Sequence, residues 1–178
     1  MLPSASAHLP LQRFAQVVAD APLVSLDWVV LRGEGDAREV LLGYRNNRPA
    51  QGCWFVPGGR ILKGETLQVA SARVVQAELG AELSALLSGG ATLNWQGVFQ
   101  HFYADSFVAP DVPTHYVVLA HVLHVPASCG WQGPVGCGED GQHARWRWWP
   151  VADALASPDV HVHTQDYLMP GRAVLGAA

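Results

Sequence analysis

The stretch "FVPGGRILKGETLQVASARVVQAELGAEL" (residues 55–83) decides the fold, because it joins a strand, a glycine break and a capped helix. Its apolar beginning predicts a short buried strand, which is broken by the sequence Pro-Gly-Gly. Thr66 is then the predicted cap of a helix that ends at about Leu79, with Gly80 as its stop signal. The predicted buried stripe of this helix consists of Leu67, Ala70, Val74 and Val75.

The polar residues of this stretch are regularly spaced. Five residues separate Gly59 from Glu65, and seven more precede Arg73. A glycine turn lets the backbone approach a ligand closely, and the free N–H groups of the following helix favour anions. A hard cation held by the Glu78 carboxylate, a backbone carbonyl and water suits diphosphate chemistry. The alternative is that Arg73 and Glu78 are ordinary solvent-facing helix residues.

Outside this stretch, hydrophobic patterning predicts the flanking elements. Apolar or alternating runs predict strands over residues 23–31, 39–45, 94–104, 115–125 and 144–151, the first two forming a hairpin. Helices are predicted over residues 10–20, 151–156 and 164–169. Residues 126–143 are rich in Gly, Pro and Cys and are predicted to form a long loop.

Composition limits the class of protein. The chain of 178 residues has room for one domain, and 49% hydrophobic with 15% charged residues is typical of a compact soluble protein. A net charge of −4 provides no electrostatic footprint for nucleic acid. Ten arginines against one lysine favour phosphate binding, although a GC-rich genome produces the same bias.

The cysteines and the chain start indicate the compartment. Cys53, Cys129 and Cys137 form no CxxC pair, so we expect no disulfide framework and a reducing cytoplasm. A zinc site of Cys129, Cys137 and His143 is disfavoured, because the spacing is not a recognised zinc pattern. Neither a leader sequence nor a membrane-spanning run is found, and we expect no membrane association.

The spacing around Arg73 resembles the Nudix box, G x5 E x7 R E U x E E x G U, in which U is a bulky apolar residue. The match holds at Gly59, Glu65, Arg73, Val75, Glu78 and Gly80. It fails at Val74 and Ala77, where the box has glutamates, and at the small Ala81. The resemblance implies a single Nudix hydrolase domain over residues 1–178 with its box at 59–81. The expected fold is α+β, a mixed β-sheet flanked by helices in an α/β/α sandwich.

The missing acids distinguish two mechanisms. Nudix pyrophosphatases use several box glutamates to gather two or three metal ions for attack of water on phosphorus. Glu78 is the only acid between Arg73 and Gly80, which predicts one metal ion. One cation neutralises a departing diphosphate, but it is poorly equipped to generate the attacking hydroxide as well. Attack is therefore expected away from phosphorus.

Further segments are similar to GDP-mannose mannosyl hydrolases, Nudix members that cleave the sugar C1–O bond and also lack these two glutamates. The segments are PLVSLDWVVL, LLGYRNNRPAQGCWFVPGGR, QHFYADSF, THYVVL and QH followed by RWRWWP. They span most of residues 10–165. The resemblance implies hydrolysis of GDP-mannose, or of GDP-glucose, to GDP and free sugar by attack of water at the anomeric carbon with inversion.

The same resemblance implies a ligand set and a base. One Mg²⁺ per subunit, or Mn²⁺ in its place, would be held by the Gly58 carbonyl, the Glu78 carboxylate and the amide oxygen of Gln142, all hard oxygen donors. His143 would be the general base, the alternative being a solvated loop histidine. The arginines implied to contact the diphosphate or the charge of the leaving group are Arg45, Arg60 and Arg73.

Other polar residues have both a functional and a structural interpretation. By resemblance, His101 and Tyr116 assist the leaving group, and Asp27 orients the sugar. The alternative for each is a buried polar side chain that needs a partner in any fold. Arg48 is a weaker diphosphate contact in a polar turn, NNRPA. Glu65 is expected to support the loop and the N-terminus of the helix.

Two alternative functions are a conventional Nudix pyrophosphatase, which cleaves a nucleoside diphosphate derivative at phosphorus, and a non-catalytic module that binds nucleotide sugars. The presence of both Gln142 and His143 argues against the second. The family is homodimeric, so we expect a homodimer whose partner molecule is a small nucleotide sugar. The loop 126–141 has no confident counterpart in the family, and the setting of the QH pair depends on it.

Overall fold

The computed structural model describes residues 9–135 and 141–176. Within these ranges the helices are α1 (Leu11–Asp20), α2 (Leu67–Leu79), α3 (Leu83–Ser88), α4 (Val151–Ala156) and α5 (Val162–Leu168). The strands are β1 (Leu23–Arg32), β2 (Glu39–Arg45), β3 (Trp54–Phe55), β4 (Gly58–Arg60), β5 (Thr92–Tyr103), β6 (Thr114–His124), β7 (His143–Pro150) and β8 (Leu175–Gly176). Short 3₁₀ turns occupy Gly35–Ala37 and Ala127–Cys129.

Strand β1 is the centre of one mixed sheet with the order β3-β2-β1-β6-β5-β8. It pairs in parallel with β6 along almost its whole length, from Leu23 opposite Tyr116 to Leu31 opposite His124. The predicted hairpin with β2 is confirmed, but it is paired only at its closed end. The other end of β1 pairs with β4, while β2 continues as the partner of β7. β1 therefore changes its antiparallel partner along its length, and Asp27, in the middle of the strand, lies opposite Gly58 of β4.

Both faces of the sheet are covered. This is expected because β1 has few polar residues and is buried along nearly its whole length, not at every second position. Trp28 and Val30 pack with Val74 and Val75 of α2 on one face. Val29 and Leu31 belong to the opposite core, which includes Ala154 and Tyr167 of α4 and α5. The expected mixed sheet flanked by helices is therefore confirmed. This arrangement fixes the ends of β1, β4, β5 and β6 between two helical layers.

The segment that decides the fold follows its predicted order with two corrections. The Thr66 hydroxyl accepts a hydrogen bond from the Val69 N–H, and α2 ends at Gly80, whose φ of 62° is left-handed. Leu67 was predicted to be buried, but it is 51% exposed because it lies on the outer side of the first turn. The glycines at 58–59 do not break the strand region: they form β4, which pairs with β1.

The N-terminal helix predicted over 10–20 is confirmed as α1, and Phe14 and Val18 bury its apolar face. The predictions over 151–156 and 164–169 are confirmed as α4 and α5. Helix α3 and strand β8 were not predicted. Part of the predicted loop 126–143, including Cys137, lies outside the described residues. None of the described helices has the length and apolar character needed to cross a bilayer.

Candidate active site

A cleft of about 330 Å³ lies where β1, β4, β5 and β6 meet the loop that follows β2. Its walls contain most of the residues predicted to act on a substrate. These are Asp27, Arg45, Arg48, Gly58, Arg60, His101, Tyr116 and Gln142. Arg73, Glu78 and His143 do not line this cleft. The residues brought together come from six separate segments of the chain, so only the fold could assemble them.

Glu78, Gln142 and His143 form a partly buried group that meets the cleft at Gln142, and we call it the Glu78 cluster. The Gln142 amide donates a hydrogen bond to Glu78 Oε1 over 2.6 Å. His143 Nδ1 is 3.0 Å from Glu78 Oε2. His143 Nδ1 is the one polar neighbour of Oε2 within the described residues, and Oε2 is buried. Each carboxylate oxygen thus has one neighbour in this cluster, and a carboxylate oxygen has room for a second partner.

The donor set of this cluster fits a hard cation. Among the described residues there is no group of three His, Cys, Asp or Glu side chains that could hold a metal ion. A cation here would therefore depend on one carboxylate together with amide and backbone oxygens, and Mg²⁺ accepts such a set because it retains several waters. Gln142 Oε1 now lies 3.5 Å from Arg45 Nη1, so the amide would have to turn over to present its oxygen toward Glu78.

His143 is more deeply buried than the loop histidine expected from the sequence, with 4% of its surface exposed. Its ring packs between Gly43 and Trp146; a Cβ at Gly43 would lie 2.5 Å from His143 Cδ2. Burial lowers the pKa of His143, and the Glu78 carboxylate offsets part of that effect. Nε2 has no hydrogen-bond partner within the described residues. The ring is therefore neutral and able to accept a proton, and its role as base stays a prediction.

Arg45 is the most constrained of the cleft arginines. It donates to the Pro49 carbonyl over 2.9 Å and to Asn47 Oδ1 over 3.2 Å. These bonds join the end of β2 to the loop that follows it, and they hold a guanidinium at the cleft without a carboxylate partner among the described contacts. Such a group is prepared for an anion because its orientation is already fixed.

Arg60 and Arg48 reach the cleft in different ways. Arg60 lies over the Phe14 ring, 3.7 Å from its centroid, and burial lowers its pKa although it remains a cation. Arg48 Nη1 is 3.4 Å from Asp105 Oδ2 in an exposed ion pair. Since exposed ion pairs are weak, this pair leaves Arg48 available to a ligand.

Arg73 is held away from the cleft by Glu65. Its guanidinium donates to both carboxylate oxygens of Glu65, over 2.6 and 2.8 Å, and to the Arg60 carbonyl over 2.7 Å. Glu65 also accepts from the Leu62 N–H over 2.8 Å. Glu65 thus contacts the loop through the Leu62 N–H, as expected from the sequence. Arg73 braces β4 from behind, and its contact with diphosphate stays a prediction.

Asp27 and His101 are linked through Tyr167, a residue of α5 that sequence reasoning missed. The Tyr167 hydroxyl donates to Asp27 Oδ2 over 2.7 Å and lies 3.1 Å from His101 Nε2. Burial raises the pKa of Asp27 to about 6, against the lowering effects of Tyr167 and Arg45. Burial and the neighbouring His163 and His161 lower the pKa of His101 to about 2. His101 is therefore neutral at any physiological pH.

Four aromatic residues of the cleft walls were also missed. Phe14 and Phe107 were not singled out for the site, and Phe55 and Tyr103 appeared only within motifs. Strand alternation could have found Tyr103, because residues two apart point to the same face and His101 was already a candidate. Tyr116, which was predicted, packs near Tyr103, and burial raises its pKa while Arg60 opposes this.

Residues 23–170 match the NUDIX domain, and the chain therefore belongs to the Nudix hydrolase family. Membership agrees with the box of α2 and with the sheet described above. The chain is 41% identical over 115 residues to the low-salt glycan biosynthesis protein Agl8 of Haloferax volcanii, covering 65% of this chain and 67% of that protein.

Solved structures share the fold at low sequence identity. The MutT NUDIX hydrolase of Burkholderia pseudomallei superposes with a TM-score of 0.61 and 22% identity, covering 84% of this chain and 97% of that one. The NUDIX domain of Shewanella oneidensis NrtR, crystallised with ADP ribose, has a TM-score of 0.56 and 19% identity over 86% of this chain and 94% of that one. These likenesses support the fold alone.

Proposed function

We propose that the protein hydrolyses GDP-mannose, or GDP-glucose, to GDP and the free sugar in a reaction that depends on Mg²⁺. Water attacks the anomeric carbon, the C1–O bond to the diphosphate breaks, and the configuration at C1 inverts. The oxygen of the water enters the sugar, and the electron pair of the broken bond leaves with GDP. The resemblance to the mannosyl hydrolase subfamily and the geometry of the cleft both support this reaction.

The observation that carries the proposal is the small number of carboxylates. On the described part of α2, Glu78 alone contacts Gln142, while Val74 is buried beneath Gly59 and Ala77 is exposed. A methyl placed on Gly59 would lie 3.1 Å from Val74 Cγ2, so the backbone of β4 sits directly on an apolar side chain. A glutamate at 74 would have to bury its charge at this contact. The geometry therefore suits one cation and disfavours a cluster of several.

The residues that would hold Mg²⁺ are Glu78, Gln142 and the carbonyl of Gly58. When bound, the ion supplies positive charge that stabilises the departing diphosphate. Arg45 and Arg60 supply further charge at the same cleft, already oriented by Pro49 and Phe14. These groups make GDP a good leaving group, and a paired general acid is not required.

In this proposal His143, which lies next to the cleft residue Gln142 and not on the cleft wall itself, takes the proton of the attacking water. Its neutral ring has one nitrogen free to accept, and Nδ1 lies beside Glu78. His101 contributes as a neutral group, because it is desolvated too strongly to carry charge. Tyr116 lies near Arg60, where its hydroxyl can donate to a leaving oxygen. A relative named for glycan biosynthesis agrees with a nucleotide sugar as substrate.

Reaction in ¹⁸O-water separates this activity from a pyrophosphatase. The proposal expects the label in the released sugar, detected by mass spectrometry, with GDP unlabelled. Label in a phosphate of GMP or of a sugar phosphate would replace the proposal by attack at phosphorus. Binding of GDP-mannose without release of GDP at saturating Mg²⁺ would instead favour the non-catalytic module.

A further inference from the structure

Four side chains form a continuous hydrogen-bonded series beside the cleft, which we call the Asp27 chain. Asp27 accepts from Tyr167, Tyr167 lies 3.1 Å from His101 Nε2, and the Tyr103 hydroxyl lies 3.3 Å from His101 Nδ1. Asp27, His101 and Tyr167 are buried, and Asp27, His101 and Tyr103 line the cleft. Only Tyr167 lies behind the cleft wall.

The number of protons fixes the direction of these bonds. A carboxylate only accepts, so the single hydroxyl proton of Tyr167 is committed to Asp27. His101 Nε2 must then carry a hydrogen and donate it to the Tyr167 oxygen. A neutral imidazole has one N–H, which leaves Nδ1 as an acceptor for the Tyr103 hydroxyl.

The neighbours of His101 keep its ring neutral and in place. His163 stacks on it with ring centroids 4.0 Å apart and an angle of 4° between planes. His161 lies 5.0 Å from His163, so a second positive charge would be close to any proton added here. A protonated His101 would donate from both nitrogens and abolish the direction of the chain. The stacked histidines oppose that state by repulsion and desolvation.

Of the three residues of the Asp27 chain that line the cleft, His101 has both ring nitrogens engaged, so Asp27 and Tyr103 remain to meet a ligand, and both are acceptors. Asp27 is a carboxylate, and Tyr103 has spent its proton on His101. Two acceptors on the wall of one cleft match the hydroxyl donors of a sugar and repel phosphate oxygens, which are acceptors themselves. Orientation of the sugar by Asp27 is implied by the resemblance; we propose that Tyr103 is a second acceptor of the same subsite, which recognises another hydroxyl group of the sugar, and that Tyr167 is the positioning residue that sets the polarity of both. This inference deepens the proposed function and rests on it.

The first test compares recognition of the sugar with recognition of the nucleotide. Tyr103→Phe removes one acceptor, and we expect KM for GDP-mannose to rise about tenfold while the inhibition constant of GDP changes less than about twofold. Tyr44→Phe is the matched control, since Tyr44 lies outside the cleft and should change neither constant. Equal changes for GDP-mannose and GDP, or no change for either, would overturn the subsite.

The second test measures the tautomer of His101 in the Asp27 chain and needs no enzymatic turnover. In protein labelled with ¹⁵N-histidine, NMR should show His101 as the Nε2–H tautomer, and Tyr167→Phe should convert it to a mixture of tautomers while Tyr44→Phe does not. A hydrogen on Nδ1 in the unmodified protein, or an unchanged tautomer in Tyr167→Phe, would overturn the assignment. If the protein proves not to hydrolyse GDP-mannose, calorimetry of GDP-mannose and GDP binding replaces the kinetic constants, and the tautomer measurement stands unchanged.

Discussion

The Glu78 cluster and the Asp27 chain are two polar groups at one cleft, but they are completed in opposite ways. In the Glu78 cluster, His143 Nε2 has no hydrogen-bond partner within the described residues, and Glu78 Oε2 has only the neighbouring His143 Nδ1. In the Asp27 chain, both nitrogens of His101 and the Tyr167 hydroxyl are engaged. An incomplete group gains most from a ligand that completes it, whereas a complete group presents a fixed pattern to be matched.

The largest effect should come from the incomplete group. Glu78→Gln keeps the shape but removes the charge, and we expect kcat/KM for GDP-mannose to fall by about 10³-fold. Added Mg²⁺ should restore little of this activity, because the amide is a weaker ligand. Glu82→Gln, at an exposed position near the same helix, is the control. Activity of Glu78→Gln within tenfold of the unmodified protein would remove Glu78 from the proposed site.

His143→Ala tests the second member of the same cluster. Loss of a general base should lower kcat by at least about 10²-fold with a modest change in KM. His124→Ala removes a histidine outside the cleft, which bonds the Gly33 carbonyl, and should leave kcat unchanged. Near-normal turnover in His143→Ala would leave this buried ring with a structural role, wedged between Gly43 and Trp146.

Asp27→Asn tests the Asp27 chain through the pH dependence of the free energy of unfolding. The pKa of Asp27 is raised from 3.8 to about 6, so the folded state holds this proton more tightly than the unfolded state does. Ionisation therefore costs stability: the free energy of unfolding should fall as pH rises from about 4 to 6, by about 2 kcal/mol attributable to this group. Chemical denaturation at several pH values should show a smaller fall in Asp27→Asn. An identical pH dependence in both proteins would contradict the burial of an ionisable carboxylate here.

Local signals explain why α2 could be predicted from the sequence. The cap at Thr66 and the stop at Gly80 depend only on residues within about one helical turn, and the structure has both at the predicted positions. The error at Leu67 is local as well, since a first-turn position can rotate outward without breaking the apolar stripe. Strand β4 was missed because Gly-Gly signals a break, and only its distant partner β1 makes it a strand.

The candidate site was predictable only as far as its motifs extend. Cleft residues such as Gly58 and Gln142 lie in segments that could be compared with a family, and the fold brings them together. Tyr167 is 140 positions from Asp27, and no spacing rule connects a tyrosine in a short terminal helix to a carboxylate in the first strand. The burial of His143 depends likewise on Gly43 of another strand. Long-range packing decides such contacts, and a single sequence does not display it.

Arg73 matches its position in the motif, but its role there stays a prediction. Its substitution has the smallest expected effect of the four. In the structure it spans Glu65 and the Arg60 carbonyl, so it acts on the cleft through β4. Arg73→Ala leaves the buried Glu65 carboxylate with fewer donors, and we expect the free energy of unfolding to fall by about 1 kcal/mol, since the guanidinium is partly solvated. KM for GDP-mannose should change less than about threefold if bracing is its main role.

A direct diphosphate contact by Arg73 predicts a different pattern. Removing a charge that touches the ligand would raise KM and the inhibition constant of GDP together, by about tenfold or more, because a charge-assisted bond is lost in both complexes. Arg13→Ala, on the exposed side of α1, controls for the change in net charge. Urea denaturation and GDP inhibition measured on the same two variants therefore separate a brace behind β4 from a ligand contact, because bracing lowers stability first and contact weakens GDP first.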